Sequence, residues 1–235
     1  MDDQALPEIL YEDNELLCIN KPAGLLSIRD GYDPLLPYVT SLLSPLFGRL
    51  WVVHRLDRDT SGTLLLARTP QAHRSLNISF ENRQVHKSYH AIIHGVPKEV
   101  ESVVDLPLKV DGDHQHRTIV NHASGKPAQT RLHVLRSSGD FSLIEAQPLT
   151  GYTHQIRAHL LAIGFPILLD PLYSLNLQNA NSNLTSNEFV KLVISRLALH
   201  ACALEFFHPA TGLSMKITAH YPVDFEAALI KLHMQ

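Results

Sequence analysis

The sequence predicts an α+β fold. Short strand-like segments follow one another in runs, only a few segments carry helical spacing, and there is no regular strand–helix–strand alternation of the kind that builds a parallel sheet. With 235 residues, 45% of them hydrophobic, the chain can bury a sizeable core within one large domain or two small, intimate lobes. No internal repeat is visible.

The elements follow in order. Residues 15–20 form a strand candidate that runs into Lys21-Pro22-Ala23-Gly24, where proline fixes φ and glycine accepts a turn. Leu35, Tyr38, Val39, Leu42 and Leu43 have helical spacing, which predicts a helix over 34–47, broken near Pro45. Residues 63–69 are apolar and strand-like, and Pro70 opens a predicted helix through Phe80, at a first-turn position where its missing N–H does no harm. From His86 to His94 the pattern alternates, with Lys87, Tyr89, Ala91 and Ile93 sharing one face. Further strands are expected at 117–121, 128–136 and 141–148, the last two joined by a turn at Ser138-Gly139. Thr153 is the expected N-cap of a helix through Ile163 that Gly164 stops, with Ile156, Leu160 and Ile163 inward and Arg157 on a neighbouring face. Residues 176–187 are rich in Asn and Ser without hydrophobic period and read as a surface insertion. Strands at 197–207 and 214–219 and an amphipathic helix at 223–232 close the chain.

Charge narrows the partners only mildly. A formal net charge of -3 lacks the basic excess of a dedicated nucleic-acid binder. Cations are nevertheless clustered, because Arg49, Arg55, Arg58, Arg68, Arg74, Arg83 and Lys87 fall in one stretch while the N-terminus is acidic. Cys18 and Cys202 stand far apart without a CxxC partner and read as reduced thiols of a cytosolic protein. Neither a signal peptide nor an apolar run of roughly 18 residues is present, so a cytoplasmic location is expected.

The most informative segment is Val53-His54-Arg55-Leu56-Asp57-Arg58-Asp59-Thr60-Ser61-Gly62. It sets a carboxylate among cationic side chains and ends in a turn between two apolar segments. A lone aspartate between arginines is also common on a solvated surface, and spacing alone does not decide between these readings. Downstream, Gly151-Tyr152-Thr153-His154-Gln155-Ile156-Arg157-Ala158-His159 carries two histidines five apart, but a metal reading lacks a third ligand in register. Asp111, Asp113, His114 and His116 read as a hydrated loop rather than a metal site.

His54-Arg55-Leu56-Asp57 followed by Thr60-Ser61-Gly62 resembles the signature of the RluA family of RNA pseudouridine synthases, and Gly151 to His159 resembles a second family motif. Lys87-Ser88-Tyr89, Lys21-Pro22-Ala23-Gly24 and Leu197-Ala198-Leu199-His200-Ala201 are similar to three more, in the family's order. The resemblance implies a mixed, largely antiparallel sheet bent into two halves, with flanking helices and a central RNA-binding cleft. It implies that Asp57 is the catalytic carboxylate, either a nucleophile toward C1′ of the ribose or a base on a glycal-type path. By the same resemblance Arg157 pairs with Asp57, Tyr89 stacks on the target base, and Leu199 walls the uracil pocket. Arg55 enters the RNA where the flipped base had been, and His54, His154, Gln155 and Lys21 join it as RNA-binding residues. Tyr152 departs from the pattern, which has arginine there.

The implied function is isomerisation of uridine to pseudouridine in ribosomal or transfer RNA, with base flipping. RNA is the expected partner, and no metal, cofactor or membrane is expected; the chain is expected to be a monomer. Residues 1–235 are expected to form one catalytic domain, because the 20 residues before Lys21 are too few for the S4-type domain of many relatives. Two other classes stay open on the residues: a non-catalytic RNA-binding or chaperone module on the same fold, and a base-excising N-glycosylase, which would release free uracil.

Overall fold

A computed structural model describes residues 6–174 and 194–234, so the predicted insertion at 176–187 lies outside the described residues. Along the first part of the chain come β1 (Glu8–Glu12), β2 (Leu16–Lys21), α1 (Val39–Phe47), β3 (Trp51–Val52), β4 (Ser61–Ala67) and α2 (Pro70–Glu81). Next are β5 (His86–His94), β6 (Glu101–Asp105), β7 (Leu108–Lys109), β8 (Ile119–Val120), β9 (Gln129–Ser138), β10 (Phe141–Pro148) and α3 (Gln155–Ala162). The order closes with β11 (Leu199–Phe207), β12 (Ser214–Thr218) and α4 (Val223–Lys231). The fold is mixed α+β, as the sequence predicts.

The chain divides into two compact units, Met1–Lys87 with Ala201–His220, and Ser88–His200 with Tyr221–Gln235. In the first unit the strands run β1-β2-β4-β11, with β3 added to β4 and β12 to β11. β2 and β4 pair antiparallel from Leu16 opposite Ala67 to Lys21 opposite Gly62, and every residue of β4 is buried. One apolar cluster joins Leu16, Cys18, Leu65, Leu76, Leu204 and Phe206. Burial in this cluster raises the Cys18 thiol pKa to about 12, which leaves it a small inert hydrophobe.

In the second unit β5-β10-β9-β6 form an antiparallel sheet, with β7 and β8 as a separate ribbon. Ala91, Ile92, Ile93, Leu143, Ile144, Ile156, Leu160, Leu199 and Phe225 belong to its main core.

Several boundaries differ from the sequence expectation for identifiable reasons. α1 begins at Val39 rather than Pro34, because Asp30 Oδ1 accepts from the amides of Tyr32 and Asp33, and Asp33 from that of Leu35. Such side-chain turns take the backbone groups a helix would need. Pro45 does not break the helix; it sits in the last turn, and the helix stops at Gly48 with φ 75°. α2 begins as expected, with Pro70 at the first turn and the Thr69 hydroxyl accepting from Ala72 N. Thr153 is not the cap of α3. That position belongs to His154, in the left-handed region at φ 55°, while the Thr153 carbonyl accepts from the Thr118 hydroxyl at 2.7 Å.

Candidate active site

Asp57 is held by its neighbours. On one side, Leu56 makes two hydrogen bonds with the Ser27 hydroxyl, its carbonyl accepting at 2.7 Å and its amide donating at 3.0 Å. On the other, the Arg58 carbonyl accepts from Gly24 N at 2.8 Å and from Lys21 Nζ at 3.0 Å. The Asp57 carbonyl itself closes the turn by accepting from Thr60 N. Both flanks of the carboxylate are therefore tied to the Lys21–Ser27 segment, and the half-buried Asp57 side chain leaves from a backbone fixed on either side.

Lys21 makes that fixation possible. It is fully buried, and its ammonium donates to the carbonyls of Pro22 at 2.9 Å, Leu25 at 2.8 Å and Arg58 at 3.0 Å. In the structure this ammonium is a stitch between two loops.

His54 also hydrogen-bonds to backbone. Its Nε2 accepts from Leu65 N at 2.9 Å, which places its proton on Nδ1, and its ring stacks on Phe80 at 4.9 Å. Burial, with the nearby Lys87 ammonium, lowers its pKa to about 3, so its imidazole is neutral. Arg55, by contrast, is exposed.

The glycine that ends the motif has a separate task. At φ 116°, Gly62 lies against β11, where a Cβ would come within 2.1 Å of the Ala201 carbonyl oxygen. Only glycine permits that approach of two strands.

Tyr89, Arg157, His154, Gln155 and Leu199 all belong to the second unit. Tyr89 lies opposite Ala146 in the β5–β10 ladder and packs, half-buried, on the core cluster that contains Leu199, itself 3% exposed. α3 is buried on nearly all sides, so Arg157 does not point away from the interior as the helical spacing suggested. Its Nε and Nη2 each donate to Asp170 at 2.7 Å, and its guanidinium lies 4.9 Å from the Tyr173 ring centroid.

Gln155 uses its whole amide inside the protein. Its Oε1 accepts from the Thr150 hydroxyl and from Tyr152 N, and its Nε2 donates to the Gln129 carbonyl and the Thr130 hydroxyl. With both acceptor and both donor sites engaged at 3% exposure, it joins α3 to β9. His159, fully buried, bonds the Thr130 hydroxyl through Nδ1 and the Leu106 carbonyl through Nε2, and burial lowers its pKa. His154 is half-buried, edge-on to the Tyr173 ring, with Nδ1 3.2 Å from the Tyr173 hydroxyl. Tyr152, where the resemblance places arginine, packs on the small cluster of Leu108, Ala128, Ala158 and Tyr173.

Asp170 and Tyr173 escaped the sequence reading. The available signal was a lone acid in an otherwise apolar stretch, Ile167-Leu168-Leu169-Asp170-Pro171-Leu172-Tyr173. Ser27 carried no signal at all. Among the described residues no group of His, Cys, Asp and Glu is arranged to hold a metal ion, and no helix is long and apolar enough to cross a membrane.

Comparison with known proteins agrees with these motifs. The pattern of a family described as RNA pseudouridylate synthase matches residues 15–162. The dual-specificity RNA pseudouridine synthase RluA of Escherichia coli K12 is 36% identical over 218 residues, covering 92% of this chain and 93% of its own. Ribosomal large subunit pseudouridine synthase C of Buchnera aphidicola is 38% identical over 224 residues, 94% of this chain and 69% of that protein. Among solved structures, human RNA pseudouridylate synthase domain containing 4 superposes with a TM-score of 0.77 at 29% identity, covering 96% of this chain and 93% of that one. The chain belongs to the RNA pseudouridylate synthase family and is an RNA-modifying isomerase.

Proposed function

We propose that this isomerase acts on uridine in ribosomal or transfer RNA, in the cytoplasm, as a monomer without a cofactor, and that Asp57 is its catalytic carboxylate. The observation that carries the Asp57 assignment is the double anchorage of its backbone at Leu56 and Arg58, which supplies the fixed geometry a reacting carboxylate needs. Asp59, equally acidic and two residues away, is assigned no part in the chemistry.

The reaction breaks the N1–C1′ bond of uridine, turns the uracil, joins C5 to C1′, places a proton on N1 and releases the proton from C5. It is redox-neutral and consumes no second reactant. Two routes use the Asp57 carboxylate, as nucleophile at C1′ or as base on the ribose, and both need it ionised. Arg157 is the cation that the resemblance pairs with this carboxylate. Tyr89, fixed on β5 with its ring against the core, is assigned to stacking on the base, and Leu199 to the apolar surface beside it. Exposed Arg55 is assigned to the space the base leaves, where it offsets part of the unstacking cost, and His154 to contact with the RNA backbone.

The relatives' names support the substrate class: one is a dual-specificity RNA enzyme and another acts on the ribosomal large subunit. The test has two arms. Pseudouridine maps of ribosomal and transfer RNA from deleted and complemented strains should differ at one or a few uridines, and an unchanged map would remove the substrate assignment. With a substrate RNA in hand, loss of the C5 hydrogen is followed directly; Asp57→Asn should abolish it, and full turnover in that variant would remove the catalytic assignment.

A further inference from the structure

The segment that follows α3 turns sharply at Asp170-Pro171. Asp170 is 4% exposed, and its Oδ1 accepts from the amides of Leu172 and Tyr173, each at 2.9 Å. The same carboxylate receives Arg157 Nε on Oδ2 and Nη2 on Oδ1, both at 2.7 Å, a two-pronged bond that fixes the plane of the guanidinium as well as its distance. Tyr173, 2% exposed, lies beneath that plane at 4.9 Å. The Tyr173 hydroxyl is anchored in turn, accepting from Thr118 N at 2.8 Å. One edge and one face of the Arg157 guanidinium are thus set by groups that are themselves immobilised.

A buried ion pair is a weak source of stability, because removing both charges from water cancels most of their attraction; an apolar pair of similar volume serves a core as well or better. α3 is already anchored by Ile156 and Leu160 in the main core and by Ala158 in the neighbouring cluster. What an apolar residue at 157 could not supply is a guanidinium in a set orientation.

We propose that Asp170 is a positioning residue of the isomerisation: it grips the Nε and Nη2 edge of Arg157 and, with Tyr173 as a floor, holds the guanidinium in the plane the reaction uses. The inference rests on the reading of Arg157 as the active-site cation. A displacement of about 1 Å in such a group costs on the order of 100-fold in rate, so loosening the grip acts on kcat more than on RNA binding.

The experiment is a double-mutant cycle on the full chain, with steady-state kinetics on substrate RNA and thermal unfolding of every variant. Asp170→Glu keeps the charge but pushes the guanidinium out by one methylene. It should lower kcat by about 10-fold to 100-fold while KM for RNA changes by less than about threefold. Arg157→Lys should also lower kcat, since an ammonium cannot take a planar two-pronged bond. If Asp170 acts through Arg157, adding Asp170→Glu to Arg157→Lys should cost less than about threefold more. Should Asp170→Glu not fold, Asp170→Asn, which keeps an oxygen for the Leu172 and Tyr173 amides, takes its place in the cycle. Undiminished kcat in the folded Asp170 variant, with Arg157→Lys impaired, would overturn this inference alone. So would an equal, additive loss in both backgrounds, which marks a merely structural role. Full turnover in Arg157→Lys would instead overturn the assignment of Arg157, and this inference with it.

Discussion

Replacing Lys21 by methionine tests whether the backbone around Asp57 is held by one buried amine. The substitution keeps an unbranched apolar stem and removes three donors, leaving the carbonyls of Pro22, Leu25 and Arg58 without that partner, the Leu25 site buried and the other two part-buried. A hydrogen bond to a charged group contributes about 1.5–3 kcal/mol, so three amount to roughly 5–9 kcal/mol. Keeping an ammonium out of water costs several kcal/mol in return. The net loss for Lys21→Met is therefore about 3 kcal/mol, which in a chain of this size lowers Tm by roughly 6–12 °C. The kinetic consequence is local. The Arg58 carbonyl is one of the two anchors of Asp57, so turnover at a temperature well below the new Tm should fall by at least about 10-fold, with RNA affinity little changed. Circular dichroism melts and C5-hydrogen release on the same preparation separate the two effects. A variant with unchanged Tm and unchanged turnover would refute the stitch. A lower Tm with full turnover would leave it structural and detach it from Asp57.

Gly62→Ala forces a methyl to within 2.1 Å of the Ala201 carbonyl oxygen at φ 116°, so the two strands must part; it should lose more than about 4 kcal/mol, seen as insoluble or largely unfolded protein, and a soluble variant with unchanged Tm would contradict the close approach. His54 has a folded-state pKa of about 3 against an ordinary 6.5. The unfolded chain therefore binds the extra proton first as pH falls, and stability is lost between pH 6.5 and about 3, by up to about 1.4 kcal/mol per pH unit. Urea titrations at pH 7 and pH 5 should show that loss, and His54→Gln should remove one proton's share of it, the half-buried His90 and His94 and the buried His159 adding to it in the same direction. Tyr152→Arg should lower Tm through lost packing on the Leu108–Tyr173 cluster, and should steepen the salt dependence of RNA binding by about 0.7 in log–log slope if the new cation meets a phosphate. An unchanged slope would show that this position does not face RNA.

The regular part of the fold was legible wherever one periodicity ruled a segment. β5 and β10 have the expected ends, because alternation along β5 and the Ser138-Gly139 turn before β10 mark them in the sequence. β1 and β6 were missed: each is five residues, charged at both ends, and exposed along most of its length, so neither hydrophobic period nor composition marks it. The apolar spacing at 35–43 predicts a longer α1 than forms, because it takes no account of the two aspartates whose side chains hold the preceding loop out of the helix. The rule that failed for Arg157 was the assumption that a charged residue on a helix seeks solvent. A carboxylate supplied from 13 positions later in the chain made burial feasible, and no helical spacing reports a partner outside the helix.

The site motifs sort along the same line. Of the residues the resemblance marked, Lys21, His54 and Gln155 have their polar groups engaged within the protein, and Gly62 is fixed by the approach of a neighbouring strand. A motif in sequence therefore records two different demands. One is for groups that react or touch RNA, assigned here to Asp57, Arg55, Tyr89 and Arg157. The other is for groups that leave the reacting ones no freedom, and these are polar because what they must hold is backbone, in loops where no strand or helix satisfies it. Spacing cannot separate the two demands, since both put polar residues at fixed positions. Burial together with the kind of partner can: a buried or half-buried polar side chain whose hydrogen bonds hold neighbouring backbone is a holder. By that criterion Asp170, unmarked by any motif, joins Lys21 as a holder, the one gripping the guanidinium of Arg157 and the other the backbone beside Asp57.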